Sequence, residues 1–238
     1  MLGVVNSNLR CNELCHTLGK QFSKWTLIRL LQLHLFTWRR VGKSLESQRD
    51  EGMFQFFKQE LALLRQQQQA NNIQLWYYDE SGFSLNPTAM YAWLPAKQTL
   101  QLPAQRGNIL TVAGFLSDDN TLQAYAHQGS TTSQHFIKYM DDFIKQYPPK
   151  LKTIILLDNA SFHKSAQVKA KFKEWKNQNV FLQFLPPYSS ELNPIEQLWH
   201  HAKHLWLNIE DYADANTLQN KVINIFKNVG IKYTINFA

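Results

Sequence analysis

Residues 152–159 read Lys-Thr-Ile-Ile-Leu-Leu-Asp-Asn. Thr153 to Leu157 shows none of the polar alternation of a strand with one face in water. It reads as an interior strand covered on both sides. The run stops on Asp158-Asn159, at the strand's carboxyl end, where open α/β sheets build their sites. Upstream, Leu75-Trp76-Tyr77-Tyr78 is a second apolar run, and it ends on Asp79-Glu80. Two more strands are predicted at Ile109–Leu116 and Thr121–His127, with Asp118-Asp119-Asn120 as the turn between them. Thr132–Tyr147 repeats apolar residues at helical spacing (Phe136, Ile137, Met140, Phe143, Ile144, Tyr147), and Pro148-Pro149 ends it.

Downstream, a Lys-rich helix is predicted from Ser165 to Asn177, with Val168, Phe172 and Trp175 on one stripe. Val180–Leu185 is a further strand, stopped by Pro186-Pro187. A last helix begins near Pro194 and points Ile195, Leu198, Trp199, Ala202, Leu205 and Trp206 inward. The fold class is therefore α/β, a mixed sheet with helices packed on it. The predicted divisions are a small helical segment over 1–50, a connecting helix over 51–70 ending in Gln66-Gln67-Gln68-Gln69, and the catalytic domain over 71–238. In the first segment Ser23 is a helix N-cap before Lys24-Trp25-Thr26-Leu27-Ile28-Arg29-Leu30-Leu31. The β-prone, basic run Phe36–Lys43 follows. Helix then basic hairpin suggests the end of a winged helix-turn-helix, with Arg39, Arg40 and Lys43 toward DNA. An amphipathic helix with a solvated charge run is the plainer alternative.

The net charge of +7 favours a polyanionic partner, nucleic acid first. Cys11 and Cys15 are the two cysteines; with His16 they fall short of the four ligands a structural zinc needs. No run of apolar residues is long enough to span a bilayer, and a cytoplasmic, nucleoid-associated protein is expected.

Three acids are placed for chemistry: Asp79 and Asp158 at strand ends, and Glu196 in the first turn after Pro194. Carboxylates suit Mg²⁺ or Mn²⁺, and two such ions serve in-line displacement at phosphorus. Each acid has a structural alternative. Strand-end Asp residues cap turns. Asn193, Pro194 and Glu196 form an Asn-x-x-Glu variant of the capping box, which would use Glu196 at its own helix start.

Longer stretches carry a resemblance. Leu185-Pro186-Pro187-Tyr188-Ser189-Ser190-Glu191-Leu192-Asn193-Pro194-Ile195-Glu196-Gln197-Leu198-Trp199 closely resembles the third-carboxylate motif of IS630/Tc1/mariner-type DDE transposases. Tyr77-Tyr78-Asp79-Glu80-Ser81-Gly82-Phe83 is similar to that family's first motif, and Leu156-Leu157-Asp158-Asn159-Ala160-Ser161-Phe162-His163 to its second. Asp158 lies 79 residues after Asp79, and Glu196 lies 38 after Asp158. The second interval is longer than the family's usual one and implies a small insertion between Lys164 and Val180. Tyr91-Ala92-Trp93 and Gly114 also fit the pattern, while Ala96-Lys97-Gln98 departs from it. The resemblance covers roughly residues 20–207.

It implies an RNase H-like fold, the triad Asp79, Asp158 and Glu196, two Mg²⁺ or Mn²⁺ ions per site, and transposon-end and target DNA as partners. Glu80 and Glu191 are neighbours of the triad. His163, Lys164, His200 and Lys203 are candidate DNA contacts; the alternatives are a structural histidine and a solvated polar face. A homodimer on DNA is expected, as is a partner polypeptide carrying the missing first helix-turn-helix unit. The rival functions are an inactive, truncated DNA-binding derivative and a host nuclease of the same fold.

Overall fold

The computed structural model describes residues 15–21, 23–35, 48–86 and 109–237. The chain forms two units, Met1–Ser44 and Leu45–Ala238. In the first, helix α1 spans Lys24–Leu33, and the Ser23 hydroxyl accepts the Thr26 N–H, the cap that the sequence predicts. Arg39, Arg40 and Lys43 lie outside the described residues, as do Cys11, Tyr91-Ala92-Trp93 and Ala96-Lys97-Gln98.

The second unit runs α2 (Glu51–Gln69), β1 (Ile73–Phe83), β2 (Leu110–Ser117), β3 (Leu122–Gln128), α3 (Ser133–Gln146), β4 (Lys152–Leu157), α4 (Ala166–Asn177), β5 (Val180–Phe184), α5 (Ile195–His201) and α6 (Ala215–Lys227). One five-stranded sheet has the order β3-β2-β1-β4-β5. β1 pairs antiparallel with β2 and parallel with β4, and β4 pairs parallel with β5. This is the mixed sheet expected from the sequence. The interval between Lys164 and Val180 is filled by α4, the crossover that parallel β4 and β5 require.

Strand pleating sorts the side chains onto two cores. Leu75, Tyr77, Ile154 and Leu156 face one side, against Phe54, Leu61 and Leu64 of α2, Ile195 and Leu198 of α5, and Leu218, Val222 and Ile225 of α6. Trp76, Tyr78, Ile155 and Leu157 face the other, against Phe136, Met140 and Phe143 of α3 and Val168 and Trp175 of α4. Helix α2 packs into this unit's core through Phe54, Leu61 and Leu64. Its Gln run is the last helical turn: the Gln68 side chain accepts the Leu75 N–H and donates to Asp118, which fixes the entry into β1.

Two expectations need correction. Asp79 does not end its strand. The parallel ladder with β4 stops at Tyr77, but antiparallel pairing with β2 carries β1 on to Phe83. The last helix is not uniform either. After His201 it widens into a π-turn over Ala202–Trp206, which shifts the following residues around the axis. Leu205, predicted inward, is exposed, and Leu207 is buried instead.

Gly114 is the residue that lets α5 reach the sheet. It pairs with Asp79 across the β1–β2 ladder. A Cβ there would stand 3.1 Å from Trp199 Cη2, 3.1 Å from Leu122 Cδ1 and 3.3 Å from Ile195 Cδ1. A valine favours strands, so its cost here is one of space alone. Gly114→Val should lose about 1–3 kcal/mol of stability in urea unfolding and perturb Trp199 fluorescence. A variant as stable as the parent would mean that α5 is not seated through this gap.

Candidate active site

The β1–β4 register sets the geometry of the first two acids. Ile73 sits against Lys152 and Tyr77 against Leu156. Two residues further on, Asp79 comes abreast of Asp158, which directly follows β4. Neighbouring strands lie about 4.8 Å apart. The pleat puts both side chains on the face that carries α5, because Asp79 continues the series Leu75 and Tyr77, and Asp158 continues Ile154 and Leu156. Glu80 falls on the opposite face, with Trp76 and Tyr78.

The third acid comes from α5. The capping-box alternative does not form: no side chain caps this helix, whose N-cap is Pro194. Asn193 is buried, and its Nδ2 donates to the Tyr78 carbonyl, 3.0 Å away, next to Asp79 in the chain. The Glu196 N–H donates to the Asn193 carbonyl at 3.0 Å, and the Glu196 side chain is left exposed. Asn193 therefore ties the start of α5 to β1. The sequence gives Asn193 as a cap, and the structure makes it a strut.

Asp79 is the most enclosed of the three. Its Oδ2 accepts the Trp199 indole N–H at 3.0 Å. Burial, then the charges of Glu196, Glu80 and Asp158, push its carboxyl well above the usual carboxylate range. A buried ion costs several kcal/mol, and one hydrogen bond to a charged group returns about 1.5–3 kcal/mol. Trp199 and the Glu80 backbone return part of that cost. Glu196 is raised too: although its side chain meets solvent, partial enclosure of the carboxyl outweighs the opposing charge of Lys203, and Asp158 adds to the rise.

Asp158 behaves differently. Burial raises its carboxyl, but the hydrogen bond from His163, the Ala160 N–H and the charges of His163 and Lys164 together bring it below its ordinary value. His163 is fully buried. Its Nδ1 lies 3.0 Å from Asp158 Oδ1 and its Nε2 3.3 Å from Glu80 Oε1. Burial depresses the imidazole, yet these two carboxylates outweigh it and hold the ring at about 9. Full burial overturns His163 as a DNA contact; it is a structural link between two acids. The sequence shows Glu80 only as a neighbour of Asp79, since nothing in its spacing reveals a partner 83 residues away.

Of the remaining candidates, Lys203 faces the site. Burial lowers its amine, the carboxylates of Glu196 and Asp79 oppose this, and its Nζ stands 5.3 Å from the Phe83 ring centroid. His200 points into solvent beside His204. Lys164 lies over the Phe184 ring, 5.1 Å from its centroid. Glu191 is held outside the triad by Arg49 at 3.0 Å. Trp76, Trp175 and Trp199 are buried, as expected of core residues.

The donor set is all carboxylate oxygen, which suits a hard divalent cation, and its crowded negative charge calls for one. Among the described residues, however, no three His, Cys, Asp or Glu side chains already form a closed metal cluster. Asp79 is bound to Trp199 and Asp158 to His163, while Glu196 is open to water.

Residues 74–219 match the family of DDE superfamily endonucleases. The chain belongs to that family. An uncharacterised protein of Sinorhizobium fredii, y4pE/y4sA, is 36% identical to this chain over 67 residues, 27% of this chain and 45% of the relative. The chain thus spans less than half of that relative's length. Among solved structures, the Mos1 transposase paired-end complex with the left transposon end is similar, with 16% identity, a TM-score of 0.51, and coverage of 91% of this chain and 70% of that one. The Mos1 strand transfer complex gives 16%, 0.54, 90% and 65%. The mariner Mos1 paired-end complex with Mg gives 14%, 0.56, 89% and 64%. At these identities the likeness is one of fold, and the fold is RNase H-like.

The charge state of Asp79 has a consequence for metal-free protein. Its folded value is raised, so the stability from its proton is complete below about pH 4 and is lost as pH rises through the folded value. Asp79→Asn removes that loss. The variant should melt above the parent at neutral pH, with the gap narrowing toward acid, and Mn²⁺ should stabilise the parent but not the variant. Equal melting curves across pH would show that Asp79 carries no buried charge.

Proposed function

We propose that this chain is the catalytic part of an IS630-type insertion-sequence transposase, with Asp79, Asp158 and Glu196 as its catalytic and metal-binding residues. The observation that carries this reading is the β1–β4 register, which sets Asp79 beside Asp158 on the face where α5 presents Glu196. The substrate is double-stranded DNA at the element's ends, then target DNA.

In the first reaction a water oxygen attacks phosphorus, the P–O3′ bond breaks, and the leaving 3′ oxygen takes a proton. In the second, the freed 3′-hydroxyl attacks a target phosphodiester and a target 3′ oxygen leaves. Both are in-line displacements, so one site serves both. Bound between the three carboxylates, two Mg²⁺ or Mn²⁺ ions would supply activation of the attacking hydroxyl and charge stabilisation of the leaving oxygen. The chain's own residues hold the acids: Trp199 orients Asp79, Asn193 sets the start of the Glu196 helix, and His163 fixes Asp158. Lys203, beside Glu196 and Asp79, is placed to meet a phosphate. His200, Lys164, Arg39, Arg40 and Lys43 are proposed as outer phosphate contacts.

The segment over 1–50 is read as part of a helix-turn-helix that contacts DNA. The working form is a homodimer on DNA, acting at the nucleoid in the cytoplasm. No helix among the described residues is long and apolar enough to cross a membrane.

Incubated with Mn²⁺ and a duplex bearing the element's end, the chain should nick at that end and join the freed 3′-hydroxyl to target DNA. Asp158→Asn and Glu196→Gln should each lose more than about a hundredfold, exceeding the usual effect of residues that only support metal ligands. Nicking without joining would assign a nuclease. Metal binding with no cleavage would assign an inactive derivative.

Lys203→Ala should weaken DNA binding and reduce the slope of log K against log salt by about 0.9, the loss of one phosphate contact. An unchanged slope would remove Lys203 from the interface.

A further inference from the structure

Glu80 and Asp158 stand on opposite faces of the sheet, yet one side chain touches both. His163 leaves β4 through a single 3₁₀ turn, Ser161–Lys164, and its ring re-enters the core between Tyr78, Phe136 and Phe162. No part of it reaches water. Both ring nitrogens are engaged, Nδ1 with Asp158 Oδ1 at 3.0 Å and Nε2 with Glu80 Oε1 at 3.3 Å. Asp158 Oδ1 accepts a second bond, from the Ala160 N–H at 3.0 Å. Among the described residues Asp158 Oδ2 accepts none. One oxygen of Asp158 is thus anchored twice, and the carboxylate, about half exposed, has its other oxygen to offer.

A phenylalanine would fill this aromatic pocket but leave Glu80, 13% exposed, without its partner. A buried ionic link replaced whole by well-packed apolar groups, however, is often neutral or stabilising. Stability alone would be met as well by apolar residues at both positions and gives no reason for this pair. Outer partners of a metal-binding carboxylate, by contrast, fix its orientation and tune its affinity.

We infer that Glu80 and His163 form a positioning relay that holds Asp158 in the rotamer needed to receive a divalent cation. Glu80 sets the tilt of the imidazole from the far face of the sheet, and the imidazole sets the carboxylate. Neither touches substrate. The relay rests on the triad proposed above, and it adds two residues that no spacing of acids identifies.

His163→Phe tests it, since the ring fills the same aromatic pocket without either hydrogen bond. Three quantities are read: the melting temperature of metal-free protein, Mn²⁺ affinity by electron paramagnetic resonance, and kcat and KM for nicking. The variant leaves Glu80 buried and unpaired, so its melting temperature should fall. Mn²⁺ affinity and kcat should each fall about 10–100-fold, with KM for DNA unchanged. A purely structural histidine would lower the melting temperature in the same way and leave Mn²⁺ affinity alone.

Glu80→Ala and Glu80→Gln form the second arm, informative even if His163→Phe fails to fold. Gln retains an acceptor for Nε2, so it should hold Mn²⁺ close to the parent value, and Ala should lose affinity several-fold. Parental Mn²⁺ affinity in both His163→Phe and Glu80→Ala would overturn the relay and leave the triad standing. If the parent chain itself neither binds Mn²⁺ nor cuts DNA, the triad falls and the relay with it.

Discussion

The pairing of β1 with β4 is the constraint on which everything else rests. In a sheet, a shift of one residue turns every side chain to the other face. Tyr77 against Leu156 fixes the level at which Asp79 and Asp158 meet, and the pleat fixes that both look toward α5. The register is itself held by burial: Leu75, Tyr77, Ile154 and Leu156 on one side, and Trp76, Tyr78, Ile155 and Leu157 on the other, would all be misplaced by a slip. A site that needs two carboxylates side by side is thus secured by the apolar residues before them, and not by the acids, which repel.

That repulsion is managed by separate neutral or cationic partners. Trp199 gives Asp79 a donor from the helix that also carries Glu196, so one helix both supports the first acid and supplies the third. His163 compensates Asp158, and Lys203 faces Glu196 and Asp79. Gly114 eases the arrangement, because a Cβ there would press on Trp199 and Ile195 where they approach the strand opposite Asp79. Close helix–sheet approach, the indole contact and the acid on the first turn of α5 form one mechanical unit.

The sequence discloses most of the scaffold, for definite reasons. The short, β-branched apolar run Thr153–Leu157 between Pro149 and Asp158-Asn159 reads as an interior strand, and the 3.6-residue spacing over Phe136–Ile144 as a helix facing a core. Asp79, Asp158 and Glu196 stand out because three motifs recur in order. Long-range partners are what the sequence hides. Asn193 looks like a helix cap, since Asn before Pro at a helix start is a local pattern. Its actual partner, the Tyr78 carbonyl, is 115 residues distant. The contact between Glu80 and His163, 83 residues apart, is hidden for the same reason. The π-turn at Ala202–Trp206 is also illegible, because the apolar spacing through Leu205 suits an ordinary helix.

The central claim is that the three carboxylates share a divalent cation, and anomalous scattering from crystals soaked in Mn²⁺ tests it most directly. An anomalous peak bridging Asp79 and Asp158, with Glu196 turned in to meet it, is the expected result. Manganese absent from these residues at saturating concentration, with Glu196 still in solvent and Asp158 still closed on His163 alone, would contradict it.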